Sequence, residues 1–109
     1  MIDEQEFKKL ADDALHTLSR ELIAASDDYG FEVDFNAGAL AVEFEEPPGK
    51  FVISPNTPVR QIWVSANSRS YKLDWDVVEN SFVHTESGDS LKTLMEKAVS
   101  KHLGEDVSL

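Results

Sequence analysis

Thr57-Pro58-Val59-Arg60-Gln61-Ile62-Trp63-Val64-Ser65 is the stretch on which the fold turns. Alternation at period two puts Ile62 and Val64 on one face of a strand and Gln61, Trp63 and Ser65 on the other. If the aliphatic pair faces a core, a large aromatic ring stands on the outer face between an amide and a hydroxyl, with Arg60 just ahead of it. Trp and Arg are enriched at the energetic centres of interfaces, so this face reads as a binding surface. The competing reading is a Trp63 half-covered by a loop, since Trp is usually largely buried.

Outward from that strand the same alternation recurs. Phe31, Val33 and Phe35 oppose Glu32 and Asp34, and after the turn at Asn36-Ala37-Gly38-Ala39, Leu40, Val42 and Phe44 oppose Ala41, Glu43 and Glu45. This is an antiparallel hairpin with one dry and one acidic face. Glu46-Pro47-Pro48-Gly49 makes a rigid turn, residues 50–54 a short strand, and Pro55-Asn56-Thr57-Pro58 a break. Beyond the turn at residues 67–70, Tyr71, Leu73 and Trp75 share a face, which reads Trp75 as core. Residues 76–80 turn again, and residues 81–85 form a last strand with Phe82 inward and His84 half-buried.

Helical periodicity flanks the strands. Over residues 3–26, Phe7, Leu10, Ala11, Ala14, Leu15, Leu18 and Leu22 fall on one stripe, with Asp3 as N-cap and Asp27, Asp28 and Gly30 as stop. Leu91, Leu94, Met95, Ala98, Val99 and His102 form a second stripe, begun in the turn Ser87-Gly88-Asp89-Ser90 and ended at Gly104. His102 reads as a stripe-edge residue, and Val107 and Leu109 as a tail that tucks under a helix. The predicted fold is therefore one α+β domain over residues 1–109: a two-layer sandwich with two helices on one face of a five- to six-stranded antiparallel sheet.

The charge is uneven. Of the net −11, residues 1–46 carry −10, with thirteen acidic side chains against Lys8, Lys9 and Arg20. Such a surface repels nucleic acid and anionic lipid and attracts cations or basic partners; its plainer reading is a solvated face that aids solubility. The absence of Cys excludes disulfides, thiolate metal sites and thiol nucleophiles. No run reaches the roughly 18 apolar residues of a membrane span, and Met1-Ile2-Asp3-Glu4 lacks a signal-peptide layout, so a cytoplasmic protein is expected. On the outer face of the first helix, Asp12 and His16 lie one turn apart with Asp13 beside them. Carboxylates with one imidazole suit a divalent cation such as ferrous iron or manganese, while the alternative is a simple Asp12–His16 ion pair. Asp27, Asp28, Glu32 and Asp34, where the helix hands over to the first strand, extend this acidity into a ridge.

Together the element order, Thr57-Pro58, Gln61-Ile62-Trp63-Val64-Ser65, Tyr71, Asp74-Trp75, Ser87-Gly88, Ser90-Leu91 and the N-terminal Glu6-Phe7 and Leu10-Ala11-Asp12 resemble the frataxin family, across essentially the whole chain and nearest its bacterial members. The resemblance implies an acidic protein that binds iron, ferrous or ferric, weakly and assists or regulates iron-sulfur cluster assembly by docking on a cysteine desulfurase and scaffold complex. It implies a role as ferroxidase, iron store or iron chaperone as the alternative, and a monomer with possible iron-dependent oligomerisation. By position, Gln61, Trp63 and Ser65 match the sheet-surface residues, with Asn56, Arg60 and Lys72 beside them, and Asp12, Asp28, Glu32 and Asp34 match the acidic ridge. A bacterial member is cytoplasmic; a processed eukaryotic form belongs to the mitochondrial matrix. Two departures stand out: Lys72 where eukaryotic relatives often use Arg, and Leu22-Ile23-Ala24-Ala25-Ser26 where bacterial relatives often place carboxylates. The second predicts iron binding that is weaker or displaced, centred on Asp12, Asp13 and His16 or on residues 27–34.

Overall fold

The computed structural model describes residues 2–109. In chain order the elements are α1 (Glu4–Tyr29), β1 (Phe31–Asn36), β2 (Ala39–Glu45), β3 (Pro48–Asn56), a 3-10 turn (Thr57–Val59), β4 (Gln61–Ala66), β5 (Arg69–Asp76), β6 (Ser81–His84), β7 (Asp89–Ser90) and α2 (Leu91–Leu103). The strands form one antiparallel meander in which spatial order equals chain order. The apolar stripes of α1 and α2 and the inward residues of the strands share one core, so both helices cover the same sheet face. That leaves the opposite face open, as the one-sided alternation requires.

Local chemistry sets the boundaries. Asp3 Oδ1 accepts the Glu6 N–H at 2.8 Å, closing the start of α1. The helix runs three residues beyond the expected end, because the stop is Gly30: at φ 72° its N–H donates to the Ser26 carbonyl. Asp27 and Asp28 are thus helical rather than a turn. β1 and β2 are joined through Ala37 and Gly38, and β4 and β5 through Asn67 and Ser68, all with positive φ. Two-residue turns of this kind match the twist of the strands and fix the register.

The sheet has seven strands, one more than the upper expectation. Asp89 and Ser90 pair with His84 and Val83, and two residues are too few for any alternation to show in the sequence. Ser90 still N-caps α2, its Oγ accepting the Thr93 N–H at 3.3 Å. β3 is also longer than residues 50–54. Pro55 is accommodated because it lies beyond the last β2–β3 pair, Leu40 with Ile53, where only β4 borders it. Conversely the strand of the decisive stretch starts only at Gln61. Thr57, Pro58 and Val59 form the 3-10 turn, and Arg60 sits in the left-handed region at φ 56°.

The stripe-edge His102 fills the gap between α2 and the β2–β3 turn. Its ring packs on Phe44 and Phe51, and its Nε2 lies 2.7 Å from the Pro47 carbonyl oxygen. Gly49 is the residue that admits it: a Cβ there would collide with the imidazole. The tail is tied back, with Val107 buried, its N–H on Ser100 Oγ, and the Leu109 N–H on Glu96 Oε2.

Candidate functional site

On β4 the alternation is realised in full. Ile62 and Val64 are fully buried, whereas Trp63 keeps 38% of its surface exposed on the open face. The indole is nevertheless held. Its Nε1 donates to Gln61 Oε1 at 2.9 Å, and Gln61 Nε2 donates in turn to Asp74 Oδ1 at 3.1 Å. Lys72, directly across the β4–β5 pair from Trp63, places its Nζ 5.0 Å from the ring centroid, within cation–π range. Ser65, Val52, Ser54 and Tyr71 complete a shallow depression of about 400 Å³ beside the ring. An aromatic side chain fixed by neighbours and left uncovered loses little freedom when a partner covers it.

Asp74 was not among the sequence candidates, yet it anchors this chain of hydrogen bonds. The signal was present. Once Asn67-Ser68 is recognised as a two-residue turn, counting outward puts Lys72 opposite Trp63 and Asp74 opposite Gln61. Arg60 departs from its expected place. Its guanidinium turns back onto its own loop, donating to the carbonyls of Thr57 (2.6 Å) and Pro58 (3.3 Å). The left-handed backbone at Arg60 breaks the alternation just before β4 begins, so the residue does not join the Trp63 face. Asn56 lies at the end of β3 opposite Gln61, half-buried.

The acidic candidates are distributed rather than gathered. Asp12 Oδ1 and His16 Nε2 are 3.4 Å apart, and the imidazole stacks on Phe35 of β1 at 4.7 Å. Asp13 faces the other flank of α1, where it borders a cleft of about 410 Å³ with Leu10, Ala14, Trp75 and Phe82. Asp27 and Asp28 occupy the last turn of α1, and Glu32 and Asp34 are exposed positions of β1, alternating with inward Phe31, Val33 and Phe35. Glu32 stands directly opposite Glu43, whose charge Lys50 partly offsets at 3.7 Å. Among the described residues no three His, Asp or Glu side chains converge to hold a metal ion. Of the expected Asp12, Asp13 and His16 trio only the first and third meet. The donor set of open carboxylates and one imidazole fits a hard or borderline cation held by one or two side chains with water completing the shell.

A frataxin-like domain family model matches residues 1–105. The chain belongs to the frataxin family. It is 28% identical over 106 residues to the "Iron-sulfur cluster assembly protein CyaY" of Azotobacter vinelandii, covering 97% of this chain and 94% of the relative. With the protein of the same name from Pseudomonas aeruginosa it shares 31% over 97 residues, covering 87% and 89%. "Frataxin, mitochondrial" of Arabidopsis thaliana is 28% identical, and the match covers all of this chain and 60% of that one. Among solved structures, the frataxin of Psychromonas ingrahamii superposes with a TM-score of 0.76 at 25% identity over 98% of this chain and 97% of that one. Yeast frataxin, at 23% identity, shares the fold with a TM-score of 0.71 over 92% and 82%. The two-layer sandwich is thus the frataxin fold.

Proposed function

We propose that this protein serves iron-sulfur cluster assembly as a docking module, seating the Trp63 face on a cysteine desulfurase and scaffold complex. The carrying observation is the Trp63 arrangement itself: an aromatic ring fixed by Gln61, Asp74 and Lys72 and left open to solvent. Two bacterial relatives bear the name of cluster assembly proteins, which supports the choice of pathway. The α1 and β1 carboxylates add a negative field that steers a basic partner surface toward the face and holds iron weakly through oxygen and water. Regulation then comes from where the module sits on the complex rather than from chemistry of its own. The test is titration of the desulfurase and scaffold complex with wild type and Trp63→Ala, followed by cluster assembly rates. Affinity should fall by roughly tenfold or more, as for a central aromatic anchor; unchanged binding and unchanged rates defeat the proposal.

A further inference from the structure

Five large hydrophobic side chains stand exposed among the described residues: Ile23, Val59, Trp63, Val77 and Val78. Three of them, Val59, Val77 and Val78, lie at one end of the sheet, where β4 starts and β5 ends. Val77 and Val78 are the extreme case, at 76% and 88% exposure on the turn between β5 and β6. A β-branched pair is a poor choice for a solvated turn tip. This turn is nonetheless rigid: Asp76 Oδ1 accepts the N–H groups of both Val78 (2.9 Å) and Glu79 (3.1 Å), and Asn80 closes it at φ 55°.

Between this turn and the 3-10 turn lies a cleft of about 450 Å³, walled by Ile2, Val59, Trp75 and Val77 and bordered by Glu6 and Asp74. Arg60 also lines it, and its Nε is buried with no acceptor, NH1 being committed to the turn carbonyls. A buried N–H without a partner is costly. The carboxylates of Glu6, Asp74, Asp76 and Glu79 outnumber the one guanidinium.

The geometry points to a second contact at the end of the sheet, beside the Trp63 face rather than on it: the cleft between Val59 and Val77 takes an aliphatic side chain from a Lys- or Arg-rich segment of the partner. This rests on the reading of the Trp63 face and extends it through the Gln61–Asp74 hydrogen bond to the end of the sheet. The apolar tip supplies burial and the acidic border selects a basic segment.

The test measures the dissociation constant of the desulfurase and scaffold complex for wild type, Trp63→Ala, the pair Val77→Ser with Val78→Ser, and Glu79→Lys, each checked for an unchanged circular dichroism spectrum and melting temperature. The valine pair variant should bind roughly tenfold more weakly. Glu79→Lys should lose several-fold at low salt, with the gap closing as salt rises. Wild-type affinity for both turn variants alongside a weakened Trp63→Ala overturns this inference and leaves the docking reading standing. Wild-type affinity for all three overturns both. Weakening by the turn variants alone supports the turn as a contact and removes Trp63 from the interface.

Discussion

Trp63 owes its readiness to Gln61, whose amide is used at both ends, once as acceptor from the indole and once as donor to Asp74. Replacing Gln61 with Leu removes both bonds and leaves the fold intact, because the position lies on the open face. The indole should then move more freely, read as a lower fluorescence anisotropy in a Trp75→Phe background, with partner affinity down a few-fold. Anisotropy equal to that of the parent would mean that Lys72 and packing alone hold the ring. A second residue-scale prediction concerns Gly49, where His102 leaves no room for a methyl group. Gly49→Ala should destabilise by about 1–3 kcal/mol in urea unfolding. Adding His102→Ala should recover part of that loss, because the two changes share one contact. Gly49 was not visible in the linear pattern, since it acts on His102 far along the chain, whereas Asp74 was legible only by counting outward from the Asn67-Ser68 turn. Ile62, Val64 and Trp63 were visible because alternation is a local property.

Elements were legible where their patterns were long. The stripe of α1 and the strands of the first hairpin were readable because many residues repeat one periodicity, whereas β7 offered two and was hidden. Stops were less legible than starts: Asp27 and Asp28 look like punctuation, yet the left-handed Gly30 decides where α1 ends. The metal candidates failed to converge for a related reason. Helical spacing shows which residues share a face but not which neighbouring element that face meets, and here Phe35 draws His16 toward β1 while Asp13 borders the opposite cleft. Within the sheet, β1 carries Glu32 against Glu43. Like charges directly opposite each other are unfavourable by roughly 0.2–1 kcal/mol. Glu32→Lys should therefore raise the midpoint of thermal unfolding by a degree or more, and a midpoint at or below wild type would show that Lys50 already neutralises the pair. If the acidic ridge helps to steer the partner, the same variant should slow association.

At the scale of the whole molecule, the net charge of −11 is concentrated in the helix and hairpin that come first in the chain. Self-repulsion of this kind weakens a compact state and is relieved by screening. Raising sodium chloride from low to about 0.5 M should shift the melting temperature upward by a few degrees. A flat or falling midpoint would show that the ion pairs Lys8–Glu4, Lys92–Glu21 and Lys97–Asp89 outweigh the repulsion. Because spatial order in the meander follows chain order, each strand finds its neighbour as soon as both have left the ribosome. α1 has no such fortune. Its apolar stripe must wait from residue 29 until β4 is complete at residue 66 for the centre of its sheet to exist. At about 5–20 residues per second, that interval is roughly two to seven seconds. During that time the nascent segment carries an apolar stripe without its sheet, and the like charges of its acidic face oppose association with other unfinished chains.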